Sequence, residues 1–394
     1  MAIPLVDLRA QLATIREETL EALRRVVDSQ RFILGPEVEA LESALARLCR
    51  TTHAIGCASG SDAIMISVAA LLEVRGAPGA PPPRSAEAPE VVTVPFTFFA
   101  SAGSVVHAGA RPRFVDIEPQ GFGIDPALIA AAITPRTLAV LPVHLFGQPC
   151  DLEAVLRTCA EIPIIEDAAQ AIGAEYGHEG ERRAAGSIGL LGCLSFFPTK
   201  NLGGAGDGGM ILTSDAALAE RLRKMRVHGG RQMYHHESVG WNSRLDEIQA
   251  AVLRVKLPHL AAWSEARAAR ACRYDELLEG SGLRSRGLVL PPIRLPDRTH
   301  IFHQYVVRVP TGESGRGRDD LLRHLAQRGI AAGVYYPVPL HLQPCFRDLG
   351  YAPGDFPVSE RAAREVLALP IYPELTPEQQ ALVVREIALF FDLA

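Results

Sequence analysis

Apolar and polar positions change period several times along this chain, and each change marks an element. Residues 8–28 place Leu8, Leu12, Ile15, Leu23, Val26 and Val27 among charges, a spacing that predicts a helix. Pro36 opens a second predicted helix, PEVEALESALARLC, since proline suits a first turn. Short apolar runs follow: HAIGCAS, EVVTVP, RPRFVDI, LAVLPVHLF, IPIIED, LGCLSFF and GMILTS. Each reads as a strand. Several lack polar alternation, as expected where both faces of a parallel sheet are covered. They alternate with helical stretches, so the fold class is α/β with a mostly parallel sheet.

The stretch 75–90, RGAPGAPPPRSAEAPE, is rich in proline, alanine and glycine and reads as a surface loop or insertion. After about residue 246 the pattern changes. One long helical run, DEIQAAVLRVKLPHLAAWSEARAARACRYDELLE, leads to strands QYVVRVP and AAGVYYP and to further helices. We therefore expect a large domain over 1–245 and a smaller C-terminal α/β domain over 246–394. There is no internal repeat of solenoid period.

Composition narrows the function classes. The 394 residues are 48% hydrophobic and 22% charged, enough for two cores. Net charge is −5, with 40 basic against 45 acidic residues, so no basic excess points to nucleic acid. Seven cysteines are dispersed without a CxxC pair, which reads as reduced thiols in a cytoplasmic protein. The N-terminus turns charged within seven residues, unlike a signal peptide, and no run is long enough to span a membrane. His228, His235 and His236 stand close in sequence but without metal-ligand spacing, so no metal is expected.

The chemistry gathers at SFFPTKNLGGAGDGGMILTSD, where Lys200 lies between an apolar run and a glycine-rich one. GAGDGG matches a dinucleotide fingerprint in letters only: a strand, MILTS, follows it where that fingerprint needs a helix. Nor is there a P-loop, because Lys200 precedes its glycines. A lysine that forms a Schiff base with pyridoxal 5'-phosphate is the stronger reading. That cofactor needs a phosphate cup, an acid at its ring nitrogen, an apolar lid and the lysine. Ser59-Gly60-Ser61 leads from a strand into a helix expected near Asp62, and offers either a phosphate cup or an ordinary serine cap. Ser195 could add a hydroxyl. Glu166 and Asp167 end a strand, as the nitrogen's partner or as a helix cap. Phe96, Phe98 and Phe99 supply a lid or core.

Taken in order, RFILGPEVEALE, SGSDAI, TFFAS, RPRFVDIEP, HLFGQPCD, IIEDAAQA, SFFPTKNLGGAGDGG, GWNSRLDEIQAA and YYPVPLH resemble the DegT/StrS-type nucleotide-sugar aminotransferases, of the fold-type I pyridoxal-phosphate class. The resemblance runs nearly end to end. It implies a seven-stranded, mostly parallel sheet in the large domain. It implies Lys200 as the Schiff-base lysine, Asp167 at the ring nitrogen, Gln170 by the 3-hydroxyl and Phe98 stacked on the ring. Gly60, Ser61 and Ser195 match the phosphate cup; the family often has threonine where Ser61 stands. Asn242 matches a residue supplied by the neighbouring subunit of a homodimer. Arg244, Tyr335, Tyr336 and His341 fall in substrate-lining motifs. The implied reaction moves an amino group, from L-glutamate, to a keto group of a nucleotide-linked sugar. Y-H-H before NSRLDEIQAA is similar to the 3-keto enzymes, so C3 is expected. The alternatives are a 4-keto enzyme, a dehydratase on the same fold, in which histidine replaces the lysine, or a non-enzymatic regulator.

Overall fold

The computed structural model describes residues 2–75, 85, 87–159, 161–177, 181–232, 234–312 and 315–393. Most of the expected surface loop at 75–90 (76–84 and 86) lies outside the described residues. The first elements are α1 (Leu8–Ser29), α2 (Pro36–Leu48), β1 (His53–Cys57), α3 (Gly60–Val74), β2 (Glu90–Thr93), α4 (Ala100–His107) and β3 (Arg111–Phe114). Then come α5 (Pro126–Ala132), β4 (Thr137–Val140), α6 (Leu152–Cys159) and β5 (Ile165–Asp167). A small hairpin, β6 (Glu175–Tyr176) and β7 (Arg183–Ala184), precedes β8 (Leu191–Ser195) and β9 (Gly209–Thr213). Next are α7 (Ala216–Met225) and the hairpin of β10 (Gly230–Gln232) with β11 (His235–His236). The rest comprises α8 (Glu247–Lys256), α9 (Leu260–Gly280), β12 (Tyr305–Arg308), α10 (Arg318–Gln327), α11 (Pro357–Glu365), β13 (Val366–Leu369) and α12 (Pro377–Phe390).

All seven apolar runs of the first part form strands. Parallel bridges Val140–Ile164 and Val143–Asp167 join the two hydrogen-bonded groups, giving the order β3-β2-β4-β5-β8-β9-β1. Only β9 runs against its neighbours, β1 and β8. Helix α3 packs on β8 and β9 and buries Ala63, Ile64, Ile66, Ser67, Val68, Ala69, Ala70 and Leu71. Its near-continuous apolar sequence suits a helix covered on most sides rather than an amphipathic surface helix.

A second apolar core forms around the antiparallel pair β12–β13, where Tyr274 of α9 stacks on Tyr305 with ring centroids 4.9 Å apart. The start of the chain belongs to that core. Buried Ile3 donates to the Gly329 carbonyl, and its own carbonyl accepts from the Ala331 amide, both at 2.9 Å.

Two expectations change here. The run AAGVYYP is not a strand. Besides the Ala331 bond to Ile3, Gly333 exchanges both backbone hydrogen bonds with Ala368 of β13 at 3.1 and 2.7 Å, and no ladder follows. Beyond it the segment turns away, and Pro337 has no amide to offer a ladder. The long helix expected after residue 246 is also divided. Leu257–His259 forms a 3-10 turn between α8 and α9, with Pro258 at its centre. Among the described residues no helix is long and apolar enough to cross a membrane. All seven cysteines are free thiols, five of them buried.

Candidate active site

Four strand ends converge on one edge of the sheet: the carboxyl ends of β1, β2, β5 and β8, where open α/β sheets bind ligands. Alternation along β5 separates its two acids. Glu166 turns into the protein, 0% exposed, and accepts from the amides of Gly186 (2.8 Å), Ile188 and Gly189 (both 2.6 Å) and meets His144 Nε2 at 2.8 Å. It is a buried structural carboxylate. Asp167 faces the other way, toward Lys200. Its Oδ2 accepts from the Ser101 hydroxyl at 2.7 Å and its Oδ1 from the Ala169 amide at 3.2 Å.

Lys200 is half-buried in a tight turn after β8, its amide bonded to the Phe197 carbonyl at 2.8 Å. Burial pushes its ammonium down to about 8, against the opposing pull of the Asp167 carboxylate. The glycines that follow serve close packing. A Cβ at Gly203 would lie 2.2 Å from the Pro198 carbonyl oxygen, and one at Gly209 would lie 2.2 Å from that of Ser59. They let the chain fold back under Lys200 and let β9 pass against the start of α3.

Helix α3 begins at Gly60, two residues before the expected position, because Ser59 is its N-cap and accepts from the Asp62 amide at 3.0 Å. Its first-turn amides have no partner within the helix. Gly60 packs against Ser195, where a Cβ would come within 2.6 Å of the serine Cβ. Exposed Ser61 stands beside them. Gly60 and Ser195 are thus in contact at the start of α3, with Ser61 next in the chain.

On the other wall, Gln170 Oε1 accepts from the Phe146 amide at 2.7 Å, which fixes the amide's orientation and leaves Nε2 to donate to the Tyr336 hydroxyl at 3.2 Å. Phe98 is 55% exposed and packs its ring 6.0 Å from that of Tyr336. Tyr335 packs edge-on to Tyr336. Phe96, by contrast, is fully buried core, and Phe99 packs on Phe346.

Three of the expected residues stand apart from this group. Asn242 is exposed and bridges Val227, and Arg244 is half-buried without an ion pair among the described residues. Between them Ser243 turns inward, donating to Asp62 at 2.6 Å and accepting from the Ala58 amide. His341 is 2% exposed, with Nε2 3.2 Å from Glu360 and its ring 4.7 Å from that of Phe356. Burial lowers its pKa.

Sequence reasoning passed over four residues. Ser101 holds Asp167, yet it lies inside the TFFAS stretch and could have been found as the serine that follows the phenylalanines. His303, buried against Asn201 at 3.1 Å, stays neutral because burial and the nearby Lys200 charge hold its pKa well below the usual range. Glu247 of α8 caps α2, accepting from the amides of Gly35, Glu37 and Val38, each at 2.9 Å. His144 pairs with Glu166. None of these last three carries a local signal.

The family model described as the DegT/DnrJ/EryC1/StrS aminotransferase family matches residues 13–388. The chain belongs to this family. Among relatives of this aminotransferase, a protein named "Pleiotropic regulatory protein" from Geobacillus stearothermophilus is 48% identical over 394 residues, 99% of each chain. A UDP-N-acetyl-3-dehydro-alpha-D-glucosamine 3-aminotransferase from Acidithiobacillus ferrooxidans is 43% identical over 98% of this chain and 97% of that one. The structure of S. venezuelae DesV in complex with a ketimine intermediate superposes with a TM-score of 0.87 at 41% identity, covering 99% of this chain and 98% of that one. The aminotransferase therefore has the fold-type I architecture of that class.

Proposed function

We propose that this protein transfers an amino group from an amino acid, L-glutamate by family resemblance, to the C3 keto group of a nucleotide-linked sugar, with pyridoxal 5'-phosphate held at Lys200. One arrangement carries the reading: Lys200, in the turn after β8, faces the Asp167 carboxylate at the carboxyl edge of the sheet, and burial lowers its amine to about 8. The surrounding residues fit the cofactor. The α3 N-terminus with Gly60, Ser61 and Ser195 is an anion cradle. Phe98 offers a flat, exposed face on the opposite wall, and Gln170 has an amide proton left for an oxygen. When bound, the cofactor supplies an aldehyde to the lysine and a ring that accepts electrons. Lys200 then moves a proton between carbon atoms, and Asp167 keeps the ring nitrogen positively charged. Arg244, Tyr335 and Tyr336 are proposed to meet the sugar nucleotide; His341, turned toward Glu360, would act on it through packing.

The name of the Geobacillus relative suits a regulator. A binding protein needs no depressed lysine opposite an acid, so the complete set favours transfer. Lys200 also stands where the dehydratases have histidine. The dispersed free thiols fit a cytoplasmic enzyme.

The C3 assignment draws on the segment 226–251 and on the Acidithiobacillus relative, whose name specifies a 3-aminotransferase. Presenting a neighbouring carbon would misplace the reacting atom by more than about one ångström, a shift that costs roughly 100-fold in rate. Matched 3-keto and 4-keto nucleotide hexoses, each offered with glutamate, should give a new amine at C3, located by NMR. Amination confined to C4 overturns this choice.

The working unit is proposed to be a homodimer with shared sites. Asn242 is exposed while Ser243 bonds to Asp62 of α3, an arrangement that leaves Asn242 available to complete the neighbour's phosphate cradle. Lys200→Ala and Asn242→Ala proteins are each expected to be nearly inactive. Mixing them should recover activity, because one site per heterodimer is intact. No recovery after confirmed subunit exchange would count against shared sites.

A further inference from the structure

Asp167 is held by more than its own strand. Its Oδ2 accepts from the Ser101 hydroxyl at 2.7 Å, and the Ser101 oxygen lies 2.9 Å from the Thr97 hydroxyl. All three side chains are buried, Ser101 completely. A hydroxyl carries one proton. Ser101 directs its proton to the carboxylate, so Thr97 is the donor in the remaining bond. The result is a directed chain from Thr97 to Ser101 to Asp167. Both hydroxyls come from one short segment between β2 and the first turn of α4, anchored at the carboxyl edge of the sheet.

We infer that the Thr97–Ser101 pair is a positioning device that holds the Asp167 carboxylate in place toward the cofactor's ring nitrogen. The inference builds on the cofactor reading above. A hydrogen bond donated to a carboxylate favours its charged form over its acid. Without the Ser101 bond the carboxylate keeps one donor, the Ala169 amide, and loses the contact that fixes Oδ2. A carboxylate that is no longer fixed would hold the proton on the ring nitrogen less well, and the ring would draw electrons less. The other groups facing Asp167 do not replace this bond. Tyr336 and Cys193 are pushed up by burial and stay neutral near pH 7, and Lys200 is committed to the cofactor's aldehyde. The Ala169 amide remains, at the longer distance of 3.2 Å.

The test loads wild-type, Ser101→Ala, Thr97→Val and Thr97→Ser proteins with pyridoxal 5'-phosphate labelled with 15N in the ring. Three readouts are taken: the ring-nitrogen resonance, kcat, and the melting temperature of the cofactor-free protein. Wild type should show a protonated ring. Ser101→Ala should move the resonance toward the unprotonated position and lower kcat by about tenfold to hundredfold, the scale of one hydrogen bond to a charged group. Thr97→Val should shift both the same way but less, and Thr97→Ser, which keeps the hydroxyl, should match wild type. If Ser101→Ala folds poorly, the Thr97 pair carries the same comparison. A protonated wild-type resonance that does not move in Ser101→Ala or Thr97→Val overturns the inference alone. A wild-type protein that takes up no labelled cofactor defeats the cofactor reading as well.

Discussion

Replacing Lys200 by alanine should abolish turnover, by about ten-thousandfold or more, without unfolding the protein. Two roles are lost together: the nucleophile that bonds to the cofactor and the base that moves the proton, and the second alone is worth about 100- to 10,000-fold. Lys200 is a half-buried side chain in a turn held by backbone bonds, its own amide to Phe197 and that of Gly204 to Phe196, so truncation leaves the turn in place. In the intact protein, borohydride reduction and peptide mapping should find the cofactor on Lys200. An adduct on another lysine sinks the assignment. The depressed amine also sets a pH dependence. The neutral amine is the attacking form, so uptake of pyridoxal 5'-phosphate by cofactor-free protein should quicken as pH rises through about 8 and then level off. A rate that keeps rising toward pH 10 would mean that burial does not lower this lysine.

The strands were readable because burial on both faces leaves a plain mark, an apolar run without alternation. IPIIED and LGCLSFF are of this kind, and both end at the site. Where pairing is brief the mark fails. AAGVYYP has strand-like residues, yet it meets β13 only through Gly333, and that partner, VLAL at 366–369, is four residues directly behind α11, too short to interrupt a helical pattern. The chain start is another case. Nothing around Ile3 announces that it will lie beside Gly329 and Ile330, because those partners are more than three hundred residues away.

The site divides the same way. Lys200 stood out as a single amine between an apolar run and a glycine-rich one, whereas Ser59-Gly60-Ser61 also read as a serine cap, which Ser59 supplies. The residues alone did not rank Glu166 against Asp167; the resemblance chose Asp167, and the strand's alternation sends Glu166 inward to three amides and Asp167 toward the lysine. The Glu247 cap on α2 spans 212 residues to Gly35, a separation at which no local pattern helps. Asn242, Ser243 and Arg244 came as one motif. Only the fold shows that the serine faces the chain's own α3 while the asparagine is exposed.

Asp167→Asn should lower kcat by several hundredfold or more, about 3–4 kcal/mol in barrier, while the fold persists. The substitution keeps size and shape and removes the charge. At contact, a carboxylate stabilises a ring cation by about 4 kcal/mol at an effective dielectric near 20, equivalent to about three pKa units. Without it the ring nitrogen loses its proton near neutrality, and the ring no longer draws electrons from the bond being broken. The surroundings add to the loss. Asp167 receives two donors, the Ser101 hydroxyl and the Ala169 amide, one on each oxygen. Asparagine has one acceptor oxygen, so its NH2 must face either the Ala169 amide or the Ser101 hydroxyl, which already receives a proton from Thr97. The decisive measurement is single-turnover kinetics of the glutamate half-reaction, with the melting temperature of the cofactor-free protein alongside. A slow half-reaction in a protein that still binds the cofactor and melts within a few degrees of wild type supports the role. Near-normal turnover in Asp167→Asn rules it out, because no other described carboxylate faces the cleft from the end of β5: Glu166, its neighbour, is held inside by Gly186, Ile188, Gly189 and His144.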